Sequence, residues 1–199
     1  MTRLAMVLAA AVLSVGSAGL AGCAGRDGGL PLQTAAALGR DRASPVDATY
    51  VLGVGDQVSL TVYGEADLSH NYAINPTGTI DVPLIGAVKA QGLTIEQLTA
   101  QIRQRLSDGY LRNPSVTGTI LTYRPFYILG EVNKPGQYAY QSGMTLDSAV
   151  ALAGGYTYRA QQGSVFIRSE NGGGEARVEA SPELAVRPGD TIRVTERFF

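Results

Sequence analysis

Glu65 and Asp67 stand two residues apart, and His70, the one histidine of the chain, follows closely. Paired carboxylates beside an imidazole are the raw material of general acid–base chemistry. A Ser-His-Asp arrangement stays open at this level, although no Gly-x-Ser-x-Gly elbow is present to present a serine. The polar run from Glu65 to Ser69 reads more simply as a solvated loop. Asp56 and Asp190 each follow a glycine, Gly55 and Gly189, and read as turn formers rather than acids. Gly53-Val54-Gly55 lacks the third glycine and the following helix of a dinucleotide-binding loop. One cysteine and one histidine exclude an intramolecular disulfide and a four-ligand Cys/His zinc site. The expectation is a protein without catalytic residues, metal or cofactor. A group of tyrosines remains: Tyr123, Tyr127, Tyr138, Tyr140, Tyr156 and Tyr158. Tyr138, Tyr140, Tyr156 and Tyr158 could stack on sugar rings along a polymer path. The plainer reading, strand tyrosines with half-buried rings and wet hydroxyls, carries more weight.

The stretch that must position these residues is Tyr50 to Val62, where Gly55-Asp56 leads into alternating Val58, Leu60 and Val62. It returns as Gly189-Asp190 leading into Ile192 and Val194. A Gly-Asp turn followed by strict alternation predicts a tight turn feeding a half-buried strand. The 199 residues, 45% hydrophobic and 17% charged, suffice for one domain or two small ones. A net charge of −1 leaves no basic surplus for a nucleic acid.

Ahead of this lies a targeting segment. Arg3 supplies a basic start, Leu4 to Leu20 is uncharged and apolar or small, and Leu20-Ala21-Gly22-Cys23 follows. That tetrapeptide resembles the bacterial lipobox. It implies a signal peptide over 1–22, lipid attachment at Cys23 and, since Ala24 rather than Asp comes next, the periplasmic face of the outer membrane. More than one acyl chain makes such an anchor stable. Residues 24–48, with Gly25, Gly28, Gly29, Pro31, Gly39 and Pro45, read as a flexible linker holding at most one helical turn at Thr34–Leu38.

A first unit over 49–122 is expected to hold a strand at Gln57–Tyr63, a hairpin turning at Pro76-Thr77-Gly78, and a short apolar run at Leu84–Val88. A helix then opens at Thr94. Thr94 and Gln97 form a capping box, Ile95, Leu98, Ile102 and Leu106 form one apolar face, and Gly109 ends the helix. A strand at Ser115–Tyr123 closes the unit. A second unit over 124–199 should hold strands at Phe126–Val132 and Gln137–Tyr140 joined by a turn at Gly136, and a helix from Thr145 to Gly154-Gly155. Strands at Val165–Arg168, Ala176–Glu179 and Asp190–Thr195 follow, the first two around an Asn171–Gly174 tip. The fold class is therefore α+β: two small mixed-sheet modules with one helix each, the second β-grasp-like.

These residues resemble the Wza-type outer-membrane polysaccharide export proteins. The first unit is similar to the polysaccharide export sequence domain through Tyr50-x-Leu52-x-x-Gly55-Asp56, Gly78-x-Ile80-x-x-Pro83-Leu84-Ile85-Gly86, Gly92-Leu93-Thr94 and Asn113-Pro114-x-Val116. The second is similar to the soluble-ligand-binding β-grasp (SLBB) domain through Gly130-Glu131-Val132-x-x-Pro135-Gly136, Ala153-Gly154-Gly155 and Pro188-Gly189-Asp190. The resemblance implies a lipid-anchored homo-oligomeric ring that passes capsular or exopolysaccharide outward and works with an inner-membrane co-polymerase. Long members cross the outer membrane with a C-terminal helix. Here four residues follow Thr195, so a short member is expected, with a separate outer-membrane β-barrel as a possible partner. The alternative is a monomeric periplasmic lipoprotein that holds a glycan through its β-grasp unit.

Overall fold

A computed structural model describes residues 30–38, 40, 50–170 and 174–197. The signal segment, Cys23, the remainder of the linker, residues 171–173 of the expected hairpin tip and the last two residues lie outside the described residues. Two hydrophobic cores form. One gathers Leu52, Leu60, Ile80, Leu98, Ile102 and Leu106, the other Phe126, Ile128, Leu146, Val165, Leu184 and Ile192.

In the first module, β2 (Gln57–Val62) is the middle strand of an antiparallel sheet between β3 (Asn71–Ala73) and β6 (Val116–Thr122). Val58, Leu60 and Val62 face the core, as strict alternation requires. The register shifts by one residue against β6 at Gln57/Val58, a bulge that leaves Leu121 without a partner on β2. The residues expected to form one hairpin around Pro76–Gly78 do turn there, but they do not pair with each other. β3 pairs with β2, and β4 (Thr79–Val82) pairs with β5 (Gly86–Lys89) in a separate ribbon. Asn75 explains the change: its side chain accepts from the backbone N–H of Thr77 and of Thr79, closing a local turn that redirects the chain. Ala66–Leu68 forms a 3-10 turn with Leu68 buried, rather than an open polar loop. Helix α1 (Ile95–Ser107) carries the expected capping box at Thr94/Gln97 and buries Ile95, Leu98, Thr99, Ile102 and Leu106. It crosses β6 where Gly118 offers no side chain: a Cβ there would stand 2.7 Å from Thr99 Cγ2 and 3.0 Å from Ile95 Cδ1.

The second module is one mixed six-stranded sheet in the order β1-β10-β9-β11-β7-β8. Its strands are β7 (Phe126–Gly130), β8 (Gly136–Tyr138), β9 (Ser164–Arg168), β10 (Ala176–Glu179), β11 (Thr191–Val194) and β1 (Leu32–Gln33). β11 lies parallel to β7 and antiparallel to β9, so the last strand enters the middle of the sheet. Helix α2 (Leu146–Leu152), capped by Thr145, packs Leu146, Ala149 and Val150 against one face. This is the β-grasp arrangement expected.

Two further expectations need correction. Leu32–Gln33 pairs in parallel with Arg177–Val178, and Arg40 is buried, so this part of the stretch read as a flexible linker is docked on the second module. Gly136 is not a turn former: it opens β8 opposite Ile128 and has no positive φ. The reversal uses Gly130, at φ 86°, and a loop whose Asn133 and Lys134 N–H groups donate to the Gly155 and Ala153 carbonyls at the end of α2. The last carbonyls of α2 are met locally, with Ala153, Gly154 and Gly155 N–H donating to Ala149, Ala151 and Val150.

Because α1 rests on Gly118, Gly118→Ala should overpack the contact and lower stability by about 1–3 kcal/mol. Urea unfolding checks this: the midpoint falls while the slope stays unchanged.

Candidate functional site at the module junction

The two Gly-Asp turns are built alike. In Gly53–Asp56 and in Arg187–Asp190, the aspartate N–H donates to the carbonyl three residues back, at 3.3 and 3.1 Å. Gly55 and Gly189 take φ 88° and 81° at the third position, as a type II turn requires. Each aspartate side chain then reaches back to the first N–H of its own turn: Gly53 N–H donates to Asp56 Oδ2 at 2.7 Å, and Arg187 N–H to Asp190 Oδ2 at 2.8 Å. Both carboxylates are buried, at 0% and 1% exposure.

A buried carboxylate needs donors on all sides. Asp56 receives the Tyr50 hydroxyl at 2.7 Å, the Arg124 backbone N–H at 2.7 Å and Arg124 Nη1 at 3.4 Å. Asp190 receives Arg40 through both guanidinium nitrogens at 2.5 and 3.0 Å, and the Ser169 hydroxyl at 3.1 Å. With their lone pairs committed, both aspartates act as anchors and are not placed to accept a substrate proton.

Arg124 sits between the turns. A Cβ on Gly53 would stand 1.7 Å from its Nη1, and a Cβ on Gly189 would stand 2.7 Å from its Nε. Its Nε also pairs with Glu170 at 2.7 Å. Alongside, Tyr50, Tyr123 and Tyr140 meet edge to face, with centroids 5.0 and 5.4 Å apart, and bridge the two cores. Burial, then the charge and hydrogen bond of Asp56, push the Tyr50 hydroxyl far above its ordinary range.

The other candidates are dispersed. His70 is exposed and meets the Tyr72 ring edge on, at 6.5 Å between centroids. Asp67 is exposed, and Glu65 is half-buried at the start of the 3-10 turn. Tyr140 lies in the core at 6% exposure and presents no ring face to a glycan, which corrects its place among the stacking candidates. Tyr138 stacks on Phe126 and donates to the Lys134 carbonyl at 2.6 Å. Tyr156 is half-buried, and burial followed by the charge of Asp147 raises its hydroxyl. Tyr158 is exposed. Sequence reasoning missed Arg40 and Arg124. Arg124, wedged between a tyrosine and a proline where two modules meet, carried a weak signal; Arg40 carried none. Beside Arg124 a cleft of about 300 Å³ opens between the modules, bordered by Val54, Tyr127, Arg168, Glu170 and Thr191.

Arg40→Ala would strand the Asp190 charge and should cost about 3–5 kcal/mol, read as a lower thermal midpoint. Tyr50→Phe should cost about 1 kcal/mol at neutral pH. The raised Tyr50 group stays protonated in the fold, while the unfolded chain ionises near pH 10.0, so wild-type stability declines as pH rises above that value. Urea titrations at alkaline pH should show a shallower decline in Tyr50→Phe.

Residues 44–121 match the family model for polysaccharide biosynthesis/export protein, and residues 125–179 match the SLBB domain. The chain is similar to the exopolysaccharide production protein ExoF of Rhizobium meliloti, at 33% identity over 57% of this chain and 28% of that protein. It is similar to the polysialic acid transport protein KpsD of Escherichia coli, at 31% identity over 50% of this chain and 18% of that protein. It is also similar to the EPS I polysaccharide export outer membrane protein EpsA of Ralstonia nicotianae, at 28% identity over 79% of this chain and 44% of that protein. The chain spans less than half the length of each of these relatives. With an export module followed directly by an SLBB domain, the chain belongs to the Wza-type polysaccharide export protein family.

Proposed function

We propose that this chain is one subunit of a lipid-anchored oligomeric ring through which capsular or exopolysaccharide leaves the periplasm across the outer membrane. The observation that carries this reading is the succession of an export module and an SLBB domain in one chain. The junction supports it physically. The Asp56–Arg124 pair and a tyrosine ladder tie the modules together, which suits a wall element better than a jaw that opens and closes. The ring guides polymer without reacting with it, since both buried aspartates are spent on structure. Membrane attachment comes through Cys23, on the strength of the Leu20-Ala21-Gly22-Cys23 motif. An inner-membrane co-polymerase works with the ring.

A second reading, a monomeric periplasmic glycan-binding lipoprotein, draws on the junction cleft. Deleting the coding region and assaying polysaccharide outside the cell and in the periplasm separates the two. Export predicts surface polymer lost and precursor retained. Unchanged surface polymer would sink the export reading and favour the second.

A further inference from the structure

The sheet of the second module has one face on α2 and its core, and an opposite face whose composition is unusual. Strand register sets Tyr127 of β7, Thr191 of β11 and Arg168 of β9 side by side across three neighbouring strands. Residues opposite one another in register share a face. Tyr127 is 41% exposed and Arg168 is exposed, and all three border the junction cleft. One rung along, Arg193 lies opposite both Leu129 and Phe166, and its guanidinium rests 4.3 Å from the Phe166 ring centroid.

The charges on this face are unevenly satisfied. Arg193 holds Glu175 with two bonds, at 2.8 and 2.5 Å. Glu170, which also borders the cleft, stands 2.7 Å from Arg124 Nε as an ion pair without hydrogen-bond geometry. Both nearby acids are thus engaged by other arginines, and among the described residues no carboxylate lies within ion-pair distance of Arg168. The charge of Arg168 reaches Glu175 without an ion pair between them, so the cleft offers a guanidinium that bonds no carboxylate, a tyrosine ring and a hydroxyl within about 300 Å³, at the small end of ligand sites. A guanidinium fork suits a carboxylate, and a tyrosine ring suits the apolar face of a pyranose.

We propose that this cleft binds an acidic saccharide, with Arg168 receiving the sugar carboxylate, Tyr127 lying against the ring and Thr191 bonding a hydroxyl. The choice of a saccharide over other anions rests on the export reading. The site grips weakly, because an exposed cation is screened by salt and one ring contact adds little. Weak grip is what a path for a moving polymer needs.

The test uses the full chain purified in detergent and saturation-transfer difference NMR at low salt, which reads weak binding on large assemblies. Tetragalacturonate is the acidic probe and maltotetraose the neutral one. The acidic chain should bind at least roughly tenfold more tightly than the neutral one. Arg168→Gln should weaken the acidic chain roughly tenfold, the loss of one charge-assisted contact. Tyr127→Ala should weaken it several-fold, and Arg112→Gln, an exposed arginine of the first module, should change nothing. No signal from tetragalacturonate at about 10 mM, equal affinity for both sugars, or unchanged affinity in both cleft variants would overturn the assignment. So would a change of oligomer size in Arg168→Gln with glycan affinity intact, which would make the face a contact between copies. The deletion assay fails independently: normal surface polymer with cleft binding intact would remove the export role and leave the saccharide site standing.

Discussion

A carboxylate taken out of water and handed back its hydrogen bonds by the protein is the constraint on which both modules depend. Asp56 and Asp190 each accept from four donors, and in each case one is the first N–H of the aspartate's own turn. Moving a carboxylate from water into a protein interior costs several kcal/mol before any partner is supplied. That cost makes the turns demanding rather than merely tolerant. The chain is stable only when distant donors arrive, so each aspartate forces a long-range contact. For Asp190 the donor comes from Arg40, 150 residues away, which draws the N-terminal segment onto the second module. For Asp56 it comes from Arg124, 68 residues away, at the start of the second module.

Arg124 turns two local devices into one joint. Its backbone N–H and side chain serve Asp56, its Nε faces Glu170, and its guanidinium lies close to both Gly53 and Gly189. Glycine at these two positions meets different needs. Gly189 requires a backbone angle that other residues resist, and it also lies against Arg124. Gly53 has no such angle and is small because the guanidinium occupies the space a Cβ would fill. The tyrosine ladder through Tyr123 packs the remaining apolar surface between the cores.

Such a joint fits the wall element proposed above. The carboxylates that looked available in the sequence are either anchors or dispersed at the surface, and the reactive potential of Tyr50 is suppressed by burial beside Asp56. What the joint leaves open is the cleft beside Arg124, where the sheet of the second module begins. Its arginine, which bonds no carboxylate, and its half-exposed tyrosine stand on strands held in register by the same anchors.

The sequence by itself determined the features that depend on neighbours along the chain. Gly55-Asp56 and Gly189-Asp190 announced their turns, Thr94 and Gln97 announced the start of α1, and the spacing of Ile95, Leu98, Ile102 and Leu106 announced its buried face. The motif order placed the chain in its family. The tertiary structure alone decided which cation completes each aspartate, that Tyr140 is core while Tyr158 is free, and that β4 pairs with β5 rather than β3. The row Tyr127, Thr191 and Arg168 was equally invisible, because its members come from three separate segments and meet only through a parallel pairing and an antiparallel one. Turn angles and side-chain periods are local properties of the backbone, whereas the partner of a buried charge and the register of a strand are fixed by long-range packing that no short stretch of residues encodes.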